Sequence, residues 1–247
     1  FQPWTFSAPG SNKEELLVQI PQKPRATPKI SPKNNWSFSW IVPGMGRSPG
    51  QPDVYSLRFR VYLQTRNEQR DLGPLVARAM LQLWGFNVRK LRLDHSPSYF
   101  MRLVDVYLCD NGVPGGEQRF GEDPSIVDEF GRTQRTNQIY IYDLDSFTQP
   151  IEMMREVAHE YGHATLPPVG GYKTPEYWAN GFLGENLYLT WLNRESSVGR
   201  LKVIDTMGAS AADLKKYVAT KISPMIVAAA LAGPDAALLG RKDKAGM

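Results

Sequence analysis

The 247-residue chain is 42% hydrophobic and 22% charged, so it can form one large domain or two small ones around a substantial core. Its formal net charge of +4 is spread over scattered lysines and arginines, without the dense basic run of a nucleic-acid-binding tail. We therefore expect no nucleic-acid partner. The single cysteine, Cys109, excludes an internal disulfide, and no apolar run approaches the roughly 18 to 20 residues that a membrane helix needs.

The first 53 residues differ in composition from the rest. They are rich in proline, tryptophan, serine and glycine, which interrupt long elements, although residues 36–41 alternate aromatic and small side chains as a strand does. We therefore predict three regions. These are an extended N-terminal arm over residues 1–53, a central domain over residues 54–200 and a helical C-terminal segment over residues 201–247.

The first half of the central domain predicts strands around one helix. Apolar residues at helical spacing predict a helix over residues 72–84, which Gly85 should end. Turn residues followed by polar residues predict a long loop over residues 111–136. Cys109 ends a strand-like segment, so we expect a buried, unreactive thiol. Alternation of side chains predicts a strand at residues 55–63, and we also expect strands at residues 100–109 and 138–142.

The second half of the chain predicts helices. Pro150 suits the first turn of a helix whose apolar stripe continues to about Ala164. Thr174 and Pro175 form a good N-cap and first turn for a second helix, which should extend to about Asn193. Residues 209–239, rich in alanine and leucine, predict two or three short helices.

The sequence His159-Glu160-Tyr161-Gly162-His163 is an HExxH motif on the first of these helices. Residues four apart lie on one helix face, so both imidazoles can reach the same ion. Neutral imidazole suits zinc, and Glu160 can hydrogen-bond a zinc-bound water without taking a ligand position. The motif therefore predicts a zinc site held by His159 and His163, with Glu160 as general base.

With this motif, the order of elements over about residues 54–195 resembles the zincin metallopeptidases. The resemblance implies an α+β fold in which a small, mixed, twisted sheet accompanies the active-site helix, followed by a mainly helical C-terminal part. Residues 54–200 would then be the catalytic domain. In zincins the last strand before the active-site helix pairs with extended substrate, and residues 138–142 would take that place.

The branch of the zincins determines the third zinc ligand. A metzincin would have glycine and histidine where this chain has Leu166 and Val169, so that branch is excluded. The gluzincin branch takes a glutamate from the following helix. This implies Glu185 as third ligand, with Glu176 as the alternative. Thermolysin-like enzymes also carry an aspartate four residues after that glutamate to orient a histidine, whereas this chain has Leu189 there.

The resemblance also implies a donor for the oxyanion, for which zincins often use a tyrosine or a histidine. Tyr188 lies one helical turn after Glu185 and is the candidate we favour. Tyr172, Tyr177 and His95 remain alternatives.

These observations favour a zinc-dependent hydrolase, a peptidase acting on a peptide or protein substrate through metal-activated water. The alternatives are a catalytically silent zincin-fold binding protein that retains its zinc, and a structural zinc site. Structural sites are usually closed by four protein ligands, which this sequence does not offer. Phe1 in place of an initial methionine, together with the peptidase interpretation, suggests a secreted or cell-envelope location.

Overall fold

The computed structural model describes residues 4–7, 14–20, 36–46, 54–64, 72–93, 104–110, 112–127, 133–167 and 179–232. The chain divides into two compact units, Phe1–Thr148 and Gln149–Met247. The described residues form strands and a helix in the first unit and helices in the second, so the fold is α+β, as predicted. The division after Thr148 does not coincide with the boundaries predicted after residues 53 and 200, and the three-region organisation stays a prediction.

The first unit contains a mixed sheet. In its described part the strand order is β1-β2-β3-β4-β5-β7-β6. The β4–β5 and β5–β7 pairs are parallel, and the remaining pairs are antiparallel. The strands are β1 (Trp4–Ser7), β2 (Glu14–Ile20), β3 (Trp36–Gly46), β4 (Val54–Gln64), β5 (Val104–Leu108), β6 (Gly115–Val127) and β7 (Thr133–Tyr142).

The predicted strands at residues 36–41, 55–63, 100–109 and 138–142 are confirmed where the structure describes them. The region predicted as an N-terminal arm contributes β1, β2 and β3 to the sheet. In the central strands β4, β5 and β7, most of the described side chains on both faces are buried, as is usual in parallel strands. One face carries Val61, Val106 and Ile139 as direct cross-strand partners.

The opposite face of these strands carries a tyrosine cluster, formed by Tyr62, Tyr107, Tyr140 and Tyr142 around Cys109. The Tyr62 and Tyr107 rings stack with centroids 4.9 Å apart, and those of Tyr107 and Tyr140 with centroids 4.8 Å apart. Cys109 is fully buried, and burial, followed by the nearby Asp110 charge, raises the pKa of its thiol. The expected burial of the thiol is confirmed.

The prediction of a loop over residues 111–136 is wrong, because most of these residues belong to the antiparallel pair β6–β7. Strand β6 lies at the edge of the sheet, where polar side chains are tolerated because solvent reaches them. There Arg119 Nε and Nη2 each donate to the Glu117 carboxylate at 2.6 Å, and Gln118 Nε2 donates to Asn137 Oδ1 at 2.6 Å. Polar composition therefore concealed an edge strand.

Helix α1 (Leu72–Phe86) packs against β3 and β4, and its prediction is confirmed except at its end. Gly85 does not end it. The helix continues into a π-helical turn, Asn87–Leu91, and stops at Arg92, which has a left-handed φ of 59°. Gly85 is buried within the helix, and its carbonyl accepts a hydrogen bond from Arg89 Nε at 3.0 Å. Gly85 therefore lies inside a helix that continues beyond it.

The second unit consists of helices α2 (Pro150–Thr165), α3 (Asn180–Ser197), α4 (Ala211–Tyr217) and α5 (Ser223–Ala232). The predicted motif helix is confirmed as α2, and the short helices predicted after residue 209 are confirmed as α4 and α5. The described part of α3 begins at Asn180 and continues past the predicted end at Asn193. Its predicted start at residues 174–176 lies outside the described residues. None of the described helices is long and apolar enough to span a membrane.

Candidate metal centre

Helices α2 and α3 cross in direct backbone contact at two glycines. A Cβ added to Gly184 would lie 2.5 Å from the Cα of Gly162, and one added to Gly162 would lie 2.5 Å from the carbonyl oxygen of Asn180. Neither position has room for a side chain. Gly162 is one of the two variable residues of the HExxH motif, and its lack of a side chain lets the start of α3 reach the two histidines.

Asn180 fixes the orientation of His163. Its Nδ2 faces the carbonyl oxygens of Gly162, His163 and Leu166, at 3.4, 3.3 and 3.3 Å. These carbonyls only accept, so the amide nitrogen must face them and Oδ1 must face His163 Nδ1, 2.9 Å away. His163 Nδ1 therefore donates to Asn180, and in the neutral ring its Nε2 carries the lone pair.

Glu185 fixes His159 in the same way. Its Oε2 lies 3.2 Å from His159 Nδ1. Because an ionised carboxylate only accepts, Nδ1 carries a hydrogen, and in the neutral ring Nε2 carries the lone pair. The His159 ring also meets Phe182 edge to face, at 4.7 Å between centroids and 86° between planes. The ring is therefore restrained by a hydrogen bond and by an aromatic contact.

The carboxylate of Glu185 is itself held by two further side chains. Tyr217 at the end of α4 donates to its Oε1 at 2.5 Å, and Arg155 Nη1 donates to its Oε2 at 3.2 Å. Arg155 also pairs with Glu156. Burial alone would raise the pKa of Glu185, but the hydrogen bonds from His159 and Tyr217 and the charge of Arg155 together lower it. Glu185 is therefore a buried, ionised acceptor.

The two Nε2 atoms converge on Gly181. A Cβ added there would lie 2.3 Å from His163 Nε2 and 2.5 Å from His159 Nε2. Both nitrogens are therefore within reach of one small region, as two imidazoles that share an ion must be. The rings stand edge to face, with centroids 5.0 Å apart. Only glycine at position 181 leaves the two rings in this arrangement.

Two imidazoles of defined tautomer fit a zinc ion held through their Nε2 atoms. Among the residues that the structure describes, no group of three or more histidine, cysteine, aspartate or glutamate side chains is arranged to hold a metal. Glu185 reaches His159 at Nδ1, not at the Nε2 that faces Gly181, so this geometry does not support its predicted role as third ligand. The alternative, Glu176, lies outside the described residues.

The remaining predicted site residues fall in different surroundings. Glu160 lies on α2 between the histidines and is 4% exposed. Tyr188 is fully buried, and its hydroxyl lies 3.1 Å from Thr165 Oγ1, which donates to the Tyr161 carbonyl at 2.7 Å. The Tyr161 and Tyr188 rings pack at 5.5 Å. The geometry gives Tyr188 a place in the core between α2 and α3 and no surface for a substrate. The alternatives Tyr172, Tyr177 and His95 lie outside the described residues.

Four residues that hold the site were not predicted: Arg155, Asn180, Gly181 and Tyr217. Glycines inside a helical segment were the available signal for close helix contact. Tyr217 offered no signal, because it lies 32 residues after Glu185 and reaches the site only through packing of α4 on α3.

Comparison with protein-family models, with curated proteins and with solved structures gave no match.

Proposed function

We propose that the chain is a zinc-dependent peptidase of the zincin type, with zinc held by His159 and His163. The observation that carries this proposal is the way in which hydrogen bonds orient the two imidazole rings. Each Nδ1 is occupied by a hydrogen-bond acceptor from α3, and both Nε2 atoms face the same region beside Gly181. Packing of two histidines in a core requires no such convergence.

The acceptors have a specific consequence for metal binding. A metal-binding histidine almost always donates its other ring N–H to a carboxylate or carbonyl oxygen, which sets the tautomer and raises the basicity of the ligand nitrogen. Glu185 supplies a carboxylate to His159, and Asn180 supplies an amide oxygen to His163. These hydrogen bonds thus set the orientation of both rings before an ion binds.

Zinc at this site would lower the pKa of a bound water to about 7 and polarise the carbonyl of a substrate. Glu160, between the two histidines on α2, would accept the proton of that water on its carboxylate and transfer it to the leaving amine. Its burial keeps bulk water from competing for the proton. Glu176 remains the candidate for a third protein ligand, and fewer than four protein ligands leave a position for the water.

The substrate class follows from the HExxH motif and its resemblance to zincins, so we propose a peptide or protein substrate. Hydrolysis of a quenched fluorescent peptide library by the zinc-loaded chain tests the activity. Glu160→Gln should retain zinc and lose about 10²- to 10⁴-fold in rate, the usual contribution of a general base.

The outcomes separate the possible functions. Hydrolysis by wild type that falls in Glu160→Gln supports the peptidase. Stoichiometric zinc without hydrolysis of any library member would favour the zincin-fold binding protein with a retained zinc site. Hydrolysis that is unchanged in Glu160→Gln would contradict the role of this carboxylate.

A further inference from the structure

We propose that Glu185 is a positioning residue that acts through His159, and that Tyr217 brings the C-terminal helical segment into the metal centre by holding Glu185. This inference rests on the proposed zinc site. It assigns Glu185 a role other than that of third ligand, and it assigns a function to a side chain of α4.

Glu185 contacts the His159 ring at Nδ1 and not at Nε2. The two nitrogens of an imidazole point in divergent directions, and the hydrogen bond at one determines which nitrogen is available to a metal. Glu185 Oε2 is 3.2 Å from Nδ1 of His159, whereas Nε2 of the same ring faces Gly181. A carboxylate at Nδ1 would lie on the far side of the ring from an ion bound at Nε2.

Both oxygens of the Glu185 carboxylate already accept hydrogen bonds. Oε1 accepts from Tyr217, and Oε2 accepts from Arg155 and His159. For Glu185 to reach the Nε2 side of the His159 ring, its carboxylate would have to turn away from Nδ1, and the N–H of the buried His159 would lose its acceptor. An unsatisfied buried donor is costly. The present arrangement satisfies all three donors at once.

Tyr217 lies on a helix that is held in place at its start and by packing. Helix α4 begins with a capping box in which the Ser210 backbone N–H donates to Asp213 Oδ2 at 2.9 Å and the Asp213 N–H donates to Ser210 Oγ at 3.1 Å. Leu214 on the same helix is fully buried, and α4 packs against α3. Tyr217 thus donates to Glu185 from an anchored helix, and α4 is connected through two hydrogen bonds to His159.

The test compares zinc affinities, measured on the full chain by chelator competition. Glu185→Gln keeps an oxygen that can accept from His159 Nδ1 but loses the charge that makes a good zinc ligand. Tyr217→Phe removes only the hydroxyl that holds Glu185. His163→Ala removes a true ligand and provides the scale. Thr206→Val is the control, because the Thr206 hydroxyl also donates a hydrogen bond within the second unit, to the Ala209 carbonyl at 2.6 Å.

A positioning role predicts that Glu185→Gln still binds one zinc, with affinity reduced by about 10- to 100-fold. Tyr217→Phe should lose affinity in the same direction by a smaller factor, and Thr206→Val should lose stability without losing zinc affinity. With Co²⁺ in place of zinc, the visible absorption bands of Glu185→Gln should shift but keep the intensity of wild type, because the set of ligands is retained.

Three results would overturn the inference. Zinc affinity of Glu185→Gln as low as that of His163→Ala would make Glu185 a ligand, while the proposed zinc site would stand. Wild-type affinity in both Glu185→Gln and Tyr217→Phe would remove the positioning role. Absence of zinc binding by wild type would overturn the proposed function together with this inference. If Glu185→Gln fails to fold, as judged by circular dichroism, Tyr217→Phe decides the question.

Discussion

Gly181→Ala tests the convergence of the two histidines directly. The new methyl carbon would lie 2.3 Å from His163 Nε2, 2.7 Å from His163 Cδ2 and 2.5 Å from His159 Nε2. All three distances are far below the contact distance of about 3.5 Å between non-bonded heavy atoms. Either the rings must turn away, or α3 must move off α2 and open its contact at Gly162 and Gly184.

The energetic terms have opposite signs. Alanine in place of glycine gains up to about 1 kcal/mol of helix propensity. Overpacking costs about 1 to 3 kcal/mol. Turning the rings would also give up the hydrogen bonds to Asn180 and Glu185, and a buried donor left without its acceptor costs about 1 to 3 kcal/mol. We therefore expect Gly181→Ala to lower the free energy of unfolding by about 2 to 4 kcal/mol and to weaken zinc binding.

Urea unfolding measures the first effect, and chelator competition measures the second. Thr190→Ala, at an exposed position on the same helix, shows what helix propensity alone contributes. A Gly181→Ala chain that is as stable as wild type, with wild-type zinc affinity, would show that the imidazoles do not pack on residue 181.

Three further predictions concern other parts of the molecule. Cys109 should react with a thiol reagent such as DTNB only on unfolding, because it is buried and the pKa of its thiol is raised. Tyr107→Leu should lower the free energy of unfolding by about 1 to 3 kcal/mol, because it removes two stacked aromatic contacts that are each worth about 0.5 to 1.5 kcal/mol. Hydrogen bonds from the side chain and backbone of Ser210 lower the pKa of Asp213. Their contribution to stability is therefore present above the unfolded-state pKa and lost as pH falls through the folded-state pKa. An NMR titration of Ser210→Ala should show the pKa of Asp213 moved up towards its ordinary value.

Each of these predictions can fail clearly. Reaction of native Cys109 at the rate of an exposed thiol would contradict its burial. A Tyr107→Leu chain as stable as wild type would mean that the stack adds nothing beyond apolar contact, and Tyr107→Phe is the control that keeps the ring. An Asp213 pKa that is unchanged in Ser210→Ala would remove the Ser210 hydroxyl as a cause of the shift.

The parts of the fold that could be predicted are those whose periodicity is strong. Helix α2 followed from Pro150 and a regular apolar stripe, and the tyrosine-bearing strands followed from alternation. Strand β6 could not be predicted, because its polar side chains lie at a sheet edge and resemble those of a loop. The end of α1 was predicted wrongly, because a glycine ends a helix only where the residues after it are not helical. Here the chain continues at Asn87 into a π-helical turn.

The candidate site shows a similar limit. Spacing placed His159 and His163 on one helix face, and the resemblance to gluzincins implied Glu185 as the third zinc ligand. It could not show which ring nitrogen Glu185 meets, because that depends on how closely α2 and α3 approach at Gly162 and Gly184. Asn180 has no periodic pattern of its own, and its role is apparent only from the carbonyls and the histidine that surround it.

Metal analysis of the purified full chain, loaded with zinc and then desalted, tests the proposed site most directly. Wild type and Glu160→Gln should each retain about one zinc per chain, and His159→Ala and His163→Ala should retain none, because each histidine supplies one of the two converging Nε2 atoms. Wild type that retains no zinc, or His163→Ala that retains as much as wild type, would contradict the metal centre.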